Sequence, residues 1–365
     1  MNITKEQLYK RQTILAEFGE VGQKKLQDAK IVIVGCGGLG SIAAVSLAAS
    51  GVGKIHLIDF DMVDVSNLHR QVFYKMKDVG KSKAAVLAAH IRSITPFVEI
   101  TTSDQPITKD NIYQQIDDYH VVVDCTDSLA TKYLLNDYCV VTDRILVYGS
   151  LYKNDGYVAS FNIPEGQYHS ANLRHAFPKI PEEAMPNCSE VGTLNPIVGI
   201  IGLMQAGEVI KIITHTGHPL KNQILIYNSQ DNSQYKMKLQ VDRTHDHLGK
   251  SSIVKIFNNE AYFDTNCEIQ KEALLISSDA LKQQLHDKNQ LIISVIEDVN
   301  THLPFEVSQR IPFSKFDIDT LKIDTDKSYV FVCNKGILSY TATKLILKKH
   351  PDLKALSLKK GIIEY

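Results

Sequence analysis

Residues 35–40 read Gly-Cys-Gly-Gly-Leu-Gly and follow the β-branched run Ile31-Val32-Ile33-Val34. This spacing, between a strand and a helix, suits a phosphate group. Glycines let the backbone approach the anion, and the first N–H groups of the helix then face it. Gly35, Gly37 and Gly40 occupy the three required positions, and Gly38 is one glycine more than a dinucleotide loop needs. Asp59, about 20 residues further on, ends the next strand and is placed to accept hydrogen bonds from ribose hydroxyls. The loop alone leaves three readings open: NAD, ATP, or a tight packing turn with no ligand.

The next stretch adds charge. Asp61, Ser66, Asn67, Arg70 and Gln71 lie just past that strand, and Lys81 and Lys83 stand at a helix start. Basic groups converging on a phosphate loop suit a triphosphate whose charge is neutralised as it breaks. Taken singly, the lysines read equally well as a solvated face. Asp124 and Asp127 close a buried strand at its C-terminal end, where the ligands of open α/β sheets collect. Asp127 facing a triphosphate is a candidate Mg²⁺ ligand. It also fits a helix N-cap with Ser128 following, and the two roles are compatible. An NAD-dependent oxidoreductase would need a hydride-transfer constellation, such as a His or a Tyr-x-x-x-Lys set, and none is found around the loop.

The six cysteines (36, 125, 139, 188, 267 and 333) show no short paired spacing, so neither a disulfide framework nor a Cys-x-x-Cys zinc site is expected. Cys36, Cys125 and Cys139 read as buried packing residues. Cys188, in the loop Met-Pro-Asn-Cys-Ser-Glu-Val-Gly, and Cys333, in Cys-x-x-Gly-x-x-Ser with Gly336 and Ser339, remain as candidate thiols.

The elements that must position these residues alternate. A helical pattern over 4–28 precedes strands at 30–34, 54–61, 97–101, 120–125 and 145–150, with helices at 41–53, 80–96, 108–117 and 128–142 between them. Such alternation predicts βαβ units: a Rossmann-like, mostly parallel sheet with helices on both faces. From 151 an antiparallel extension is expected, with an edge strand near 156–164, a long loop over 164–194, an apolar helix over 195–215 and strands at 222–228 and 233–241. The predicted organisation is a nucleotide-binding domain over 1–242, a linker over 243–274 and a small α/β domain over 275–365. The 365 residues, 44% hydrophobic and 22% charged, are enough for two cores. A formal net charge of −1 gives no support to a nucleic-acid or anionic-membrane partner. The first residues carry no apolar signal region, and the cytoplasm is the expected compartment.

The motifs Lys-Arg-Gln near the start, GCGGLG, LIDFDMVDVSNLHRQ, VGKSKA, DCTDS and NCSEVGTLNPIVGIIGLMQAGEVIK together resemble the ThiF/MoeB/HesA family of ubiquitin-activating-like enzymes, over roughly residues 5–240. The resemblance implies ATP-dependent adenylation of the C-terminal glycine of a small ubiquitin-fold sulfur carrier ending in Gly-Gly. Carried over, Gly38 lies on the ATP phosphates, Asp59 binds ribose, Asn67 and Arg70 contact phosphate, Lys83 contacts the triphosphate and Asp127 holds Mg²⁺. Arg11 matches an arginine that reaches into a partner subunit's site, which implies a homodimer. The family places at Cys188 a cysteine that forms adducts with the activated carrier. Many relatives carry paired Cys-x-x-Cys zinc motifs, but here the matching stretches 172–175 and 244–247 hold no thiolate. His175, His245 and His247 are read as surface histidines, and no zinc is expected. Residues 275–365 resemble a degenerate rhodanese domain, with Leu338 in place of the usual arginine and Ser294-Val295-Ile296 in place of Asp-Val-Arg. There the helix start beside Cys333 would lower the thiol pKa and stabilise a persulfide taken from a sulfur donor. Thiamin and molybdenum-cofactor synthesis both fit such a chain, and a non-catalytic adaptor for ubiquitin-like proteins is the rival reading.

Overall fold

The computed structural model describes every residue except 1–2, 179–191, 242–247, 261, 263–271, 286, 288, 297, 317–320, 322, 335 and 363–364. The chain divides into two units, Met1–Cys267 and Glu268–Tyr365.

In the first unit, α1 (Lys5–Thr13) and α2 (Gly19–Asp28) lead into β1 (Lys30–Val34), α3 (Gly38–Ala49), β2 (Lys54–Ile58), α4 (Lys83–Ile94) and β3 (Glu99–Ser103). Next come α5 (Ile112–Ile116), β4 (Val121–Asp124), α6 (Leu129–Val141), β5 (Ile145–Tyr152) and β6 (Asp155–Phe161). The short strands β7 (Pro164–Glu165) and β8 (Tyr168–His169), α7 (Leu173–Ala176), α8 (Asn195–Thr214), β9 (Gln223–Asn228), β10 (Gln234–Lys238) and α9 (Lys250–Asn259) complete it.

Eight strands form one sheet in the order β10-β9-β6-β5-β4-β1-β2-β3. The five from β3 to β5 are parallel, and β6, β9 and β10 extend them antiparallel. The central strands are apolar throughout because both faces are covered. Ile31 and Ile33 face a core shared with Leu47 and Leu87, while Val32 and Val34 face a second core with Ile112 and Tyr138. The chain leaves β1 toward β2 on one side and returns at β4 on the other. The crevice beyond the C-terminal ends of β1 and β4 is therefore the topological switch point of the sheet.

Among the described helices, α8 alone is long and apolar enough to cross a bilayer. Its apolar sequence is explained by packing: Ile197, Val198, Ile201 and Val209 are buried in the core that α3 and the sheet share.

Some expectations shift. The 4–28 pattern is two helices, broken between Thr13 and Gly19, and the second opens at Gly19 with a φ of +56°, which glycine takes without strain. The 41–53 helix begins earlier, because the glycines from Gly38 on are themselves its first turn. The strand near 156–164 is not an edge. β6 pairs with β5 and β9, and β10 takes the edge. The 164–194 stretch holds a small hairpin and α7 within its described part. The segment expected as a linker over 243–274 contains α9, which buries Ile253 and Phe257, so the first unit runs on to Cys267.

The second unit contains β11 (Leu275–Ile276), α10 (Ser278–Gln284), β12 (Gln290–Ser294), β13 (Gln309–Arg310), β14 (Ser328–Val332), α11 (Ile337–Lys349) and β15 (Lys354–Leu358). Its strands form a parallel sheet in the order β11-β15-β14-β12-β13.

A buried polar clasp ties the late segments of the first unit to α6. Arg174 donates from Nε and Nη2 to both carboxylate oxygens of Asp137 (2.8 and 2.6 Å), and the Tyr262 hydroxyl donates to the same carboxylate. Asn172, in the stretch expected to match a zinc motif, caps α7 and donates to the Leu248 carbonyl (2.9 Å). His175 Nδ1 accepts from the Asn172 N–H (3.1 Å). Among the described residues no group of three metal-ligating side chains comes together. His245 and His247 lie outside them. Asp137→Asn leaves Arg174 buried beside a neutral partner and is expected to cost about 3–5 kcal/mol. Tyr262→Phe loses one hydrogen bond to a charge, roughly 1.5–3 kcal/mol. Urea midpoints measure both, and an unchanged midpoint for Asp137→Asn would show that the clasp does not hold these segments.

Candidate active site at the sheet switch point

Gly35 leaves β1 with its N–H donating to the Ile58 carbonyl (2.8 Å) and a φ of +90°. A Cβ there would sit 2.7 Å from the Cys125 carbonyl oxygen of the turn after β4. Left-handed backbone and close approach both require glycine at this point. A Cβ on Gly40 would overlap the Gly35 carbonyl, and one on Gly38 would overlap Val198 of α8. The extra glycine is thus required by α8, which packs directly on the loop. Space for a triphosphate is not what its missing side chain provides. The α3 helix opens at Gly37 with no side-chain cap and no acid in its first turn, which leaves its N-terminus suited to an anion.

Asp59 is nearly buried and serves the loop directly. Its Oδ2 accepts from the Cys36 N–H (2.6 Å) and its Oδ1 from the Asp61 N–H (2.8 Å). Burial raises its pKa against the pull of Lys83 and these two N–H groups. Each carboxylate oxygen accepts more than one hydrogen bond, so contact with a ribose is compatible with this role.

Lys83 opens α4 with its side chain only 7% exposed, and its ammonium lies 2.7 Å from Asp61 Oδ2. Asp61 is half exposed and so holds the lysine without enclosing it. Arg70 donates from Nη1 to the Ser66 carbonyl (3.0 Å) and to His69 Nε2 (2.8 Å). Asn67 donates to Ser66 Oγ (3.3 Å), and the exposed Ser66 in turn donates to Asp64 (2.5 Å). The Arg70 carbonyl and the Gln71 amide both lie close to the loop at Gly38 and Gly37. Gln71 is 4% exposed, yet its Oε1 has no partner. It is the Nε2 end of this amide that lies nearest the loop, beside Gly37.

The turn after β4 stands on the other side of the crevice. Asp127 is exposed and has no partner among the described residues. Ser128, and not Asp127, caps α6: its side chain accepts from the Thr131 N–H. The aspartate is thereby free for another ligand. Asp124 is fully buried; its Oδ1 accepts from the Thr126 N–H and hydroxyl (3.0 and 2.8 Å), and its Oδ2 lies 3.1 Å from the Lys132 ammonium.

Three residues here were not singled out from the sequence for a role. Lys132 also donates to the Gly149 carbonyl (2.7 Å) and lies 4.9 Å over the Tyr148 ring. Burial alone would lower its pKa, but the Asp124 carboxylate, with Tyr148 and Cys125 beside it, holds it above its ordinary value. Gln205 of α8 donates to the Asp124 carbonyl (2.8 Å), and the Tyr74 hydroxyl donates to the Cys36 carbonyl (2.6 Å). The signal available for Lys132 was that it is the one cation in α6.

The cysteines behave mostly as expected. Burial pushes the Cys36, Cys125 and Cys139 thiols well above their ordinary pKa, which makes them poor thiolates. Cys188 lies outside the described residues. In the second unit Cys333 is 2% exposed; the Ser339 N–H and hydroxyl lie 3.3 Å from its sulfur, and Ser357 donates to Ser339 Oγ (2.9 Å). Ser294, Val295 and Ile296 are buried.

Arg11 is not brought to this crevice. Its neighbour Gln12 donates to the Ser50 carbonyl (2.7 Å), just before β2 begins, whereas the loop and Asp59 lie past the other ends of the strands.

The profile of the ThiF family matches residues 9–248. A sulfur carrier protein adenylyltransferase from Thermus thermophilus is 38% identical over 242 residues, covering 65% of this chain and 89% of that protein. The adenylyltransferase and sulfurtransferase MOCS3 of Drosophila sechellia is 33% identical over 361 residues, 94% of this chain and 79% of its own length. Among solved structures, Escherichia coli MccB with MccA-N7isoASN superposes with a TM-score of 0.59 at 22% identity, covering 69% of this chain and 75% of that one. MccB with ATP gives a TM-score of 0.56 at 24% identity, covering 65% and 74%.

The loop geometry distinguishes its glycines. A Cβ on Gly37 meets only Gln71, at 3.5 Å, so Gly37→Ala is expected to shift stability by less than about 1 kcal/mol. Gly40→Ala forces Gly35 to move and is expected to lose several kcal/mol, on the order of other overpacked cores. Thermal melting of the two variants checks this, and equal losses would contradict it.

Proposed function

The chain belongs to the ThiF family and is an adenylyltransferase, and from that premise we propose that its substrate is the C-terminal glycine of a ubiquitin-fold sulfur carrier. One observation supports the site most directly. The uncapped start of α3 and the free carboxylate of Asp127 follow adjacent strands, β1 and β4, with Arg70 and Lys83 on the adjoining segment.

ATP would lie with its phosphates on the α3 N-terminus and its ribose toward Asp59. A terminal carboxylate has a pKa of about 3.3–3.7 and is ionised at neutral pH, so the attacking group needs no base. One carboxylate oxygen bonds to the α-phosphorus, the bond from that phosphorus to the bridging oxygen breaks, and pyrophosphate leaves with the electron pair. The protein's part is positioning and neutralisation of charge. Asn67 and Arg70 hold phosphate oxygens, and the half-exposed Asp61 holds the nearly buried Lys83 ammonium in place. Asp127 fits a Mg²⁺ that neutralises the triphosphate, since such ions commonly take one or two carboxylates together with substrate phosphates. The donor set for zinc is not brought together among the described residues.

Arg11 bears on assembly. β2 separates its end of the sheet from the loop by roughly 16 Å of strand. A homodimer in which the partner's Arg11 completes the site accommodates this separation.

For the second unit we propose sulfur delivery through a persulfide on Cys333, formed from a sulfur donor. The outer sulfur of the persulfide attacks the acyl-adenylate, AMP leaves and an acyl disulfide forms. A thiol reductant then cleaves that disulfide, leaving a thiocarboxylate on the carrier and a disulfide between the reductant and Cys333. Thiamin and molybdenum-cofactor synthesis are the two candidate destinations. The Ser339 N–H at the start of α11 supports an anionic sulfur there. The 2% exposure of Cys333 and the buried Val295 and Ile296 favour a second reading, a docking unit with no sulfur chemistry.

Arg70→Ala and Asp127→Ala alter partly or fully exposed side chains and are expected to keep the fold within about 0.5 kcal/mol. Both should abolish carrier-dependent exchange of pyrophosphate into ATP, and wild-type exchange in either variant would refute the assignment. Mixing inactive Arg11→Ala with inactive Asp127→Ala should restore about a quarter of wild-type exchange, because half the random dimers then hold one intact site. No recovery on subunit exchange would count against a shared site. Cys333→Ser should end sulfur transfer from thiosulfate, and transfer that persists would leave docking as the unit's role.

A further inference from the structure

Among the described residues Asp127 has no partner, yet the turn that carries it is braced from beneath. Residues 124–127 read Asp-Cys-Thr-Asp, and the buried Asp124 folds the turn back by accepting twice from Thr126. Its other oxygen faces Lys132, whose ammonium also donates to the Gly149 carbonyl of β5. From the opposite face of the sheet, Gln205 donates to the Asp124 carbonyl (2.8 Å), and its Oε1 accepts from the Cys125 thiol (3.4 Å). The ends of β4 and β5 are therefore pinned by one side chain from α6 and one from α8. Both members of the ion pair are almost fully enclosed, with side chains 3% and 0% exposed. A buried ion pair is not needed for stability, since apolar residues of similar volume often do as well, so its presence beside the site calls for another reason.

We propose that Lys132 is a positioning residue: through Asp124 and Thr126 it fixes the direction in which Asp127 meets the divalent cation of the bound nucleotide. It touches neither nucleotide nor metal. Without its ammonium the Asp124 carboxylate turns toward whatever donors remain, Thr126 is released, and Asp127 loses its fixed direction. The phosphate loop, held by Asp59 and by the packing of Gly38 against Val198, is left in place. The inference rests on the reading of Asp127 given above.

The test is ATP affinity by titration calorimetry, with Mg²⁺ and again with EDTA, on the full chain. Mg²⁺ should strengthen ATP binding to the wild type, and Asp127→Asn should remove that gain while leaving metal-free affinity unchanged. Lys132→Met should lose at least tenfold of the Mg²⁺-dependent gain, with metal-free affinity within twofold of wild type, and Lys132→Arg should recover it. A purely structural role would move both affinities together. Thr126→Val leaves the ion pair untouched and should lower the Mg²⁺-dependent gain with metal-free affinity within twofold of wild type, so it decides the matter where Lys132→Met does not fold. A full gain in Lys132→Met, or in Thr126→Val when that variant has to decide, overturns the proposal. A full gain in Asp127→Asn overturns the metal role of Asp127 itself, and the brace with it.

Discussion

The first unit turns on one close approach of backbone to backbone. β1 and β4 are adjacent parallel strands whose chains part at their C-terminal ends, and Gly35 passes within van der Waals reach of the Cys125 carbonyl as they do so. No residue with a Cβ makes that passage at a φ of +90°. Because it is made, α3 starts immediately above the crevice, and the turn carrying Asp127 stands beside it. Gly38 against Val198 extends the same constraint to α8, so strand ends, loop and apolar helix are fixed relative to one another. The uncapped start of α3 and the exposed position of Asp127 are both consequences of this packing.

Charge in the crevice is organised at two depths. Near the surface, the half-exposed Asp61 holds the nearly buried Lys83, and among the described residues Arg70 is tethered by one nitrogen, which leaves the rest of its guanidinium to meet a further anion. Below, Asp124 and Lys132 neutralise each other away from water, and Asp59 spends its acceptors on loop N–H groups. A site built for an already ionised nucleophile needs this arrangement more than it needs a base. What it must do is hold charge still while a phosphoanhydride bond breaks.

Much of this was legible from residue types and order. The β-branched runs, the glycine loop and the acidic residue about 20 positions on predicted a Rossmann-like sheet with a nucleotide at its switch point, because strand period, helix start and phosphate geometry are local properties. The SNLHRQ run and the DCTDS turn carried the family resemblance. Other features could not be read because they join residues far apart in sequence. Lys132 was passed over since its partners, Asp124 and Gly149, are defined only once β4 and β5 lie side by side. The break between α1 and α2 and the helix in the expected linker were missed for different reasons. A periodic pattern does not show a positive φ, and a polar stretch does not show what buries its two apolar residues.

By itself the sequence determined the strands and helices of the parallel sheet and singled out side chains whose types suit a triphosphate, since hydrophobic period, glycine placement and helix caps act within a few residues. Only the tertiary structure decided what each of those residues is free to do. Gly38 turned out to be required by α8, Ser128 took the cap and released Asp127, Cys333 was enclosed, and Arg11 was set at the far end of the sheet from the loop. Those outcomes depend on which surfaces exclude water and which atoms compete for the same space, and neither is settled until distant segments pack together.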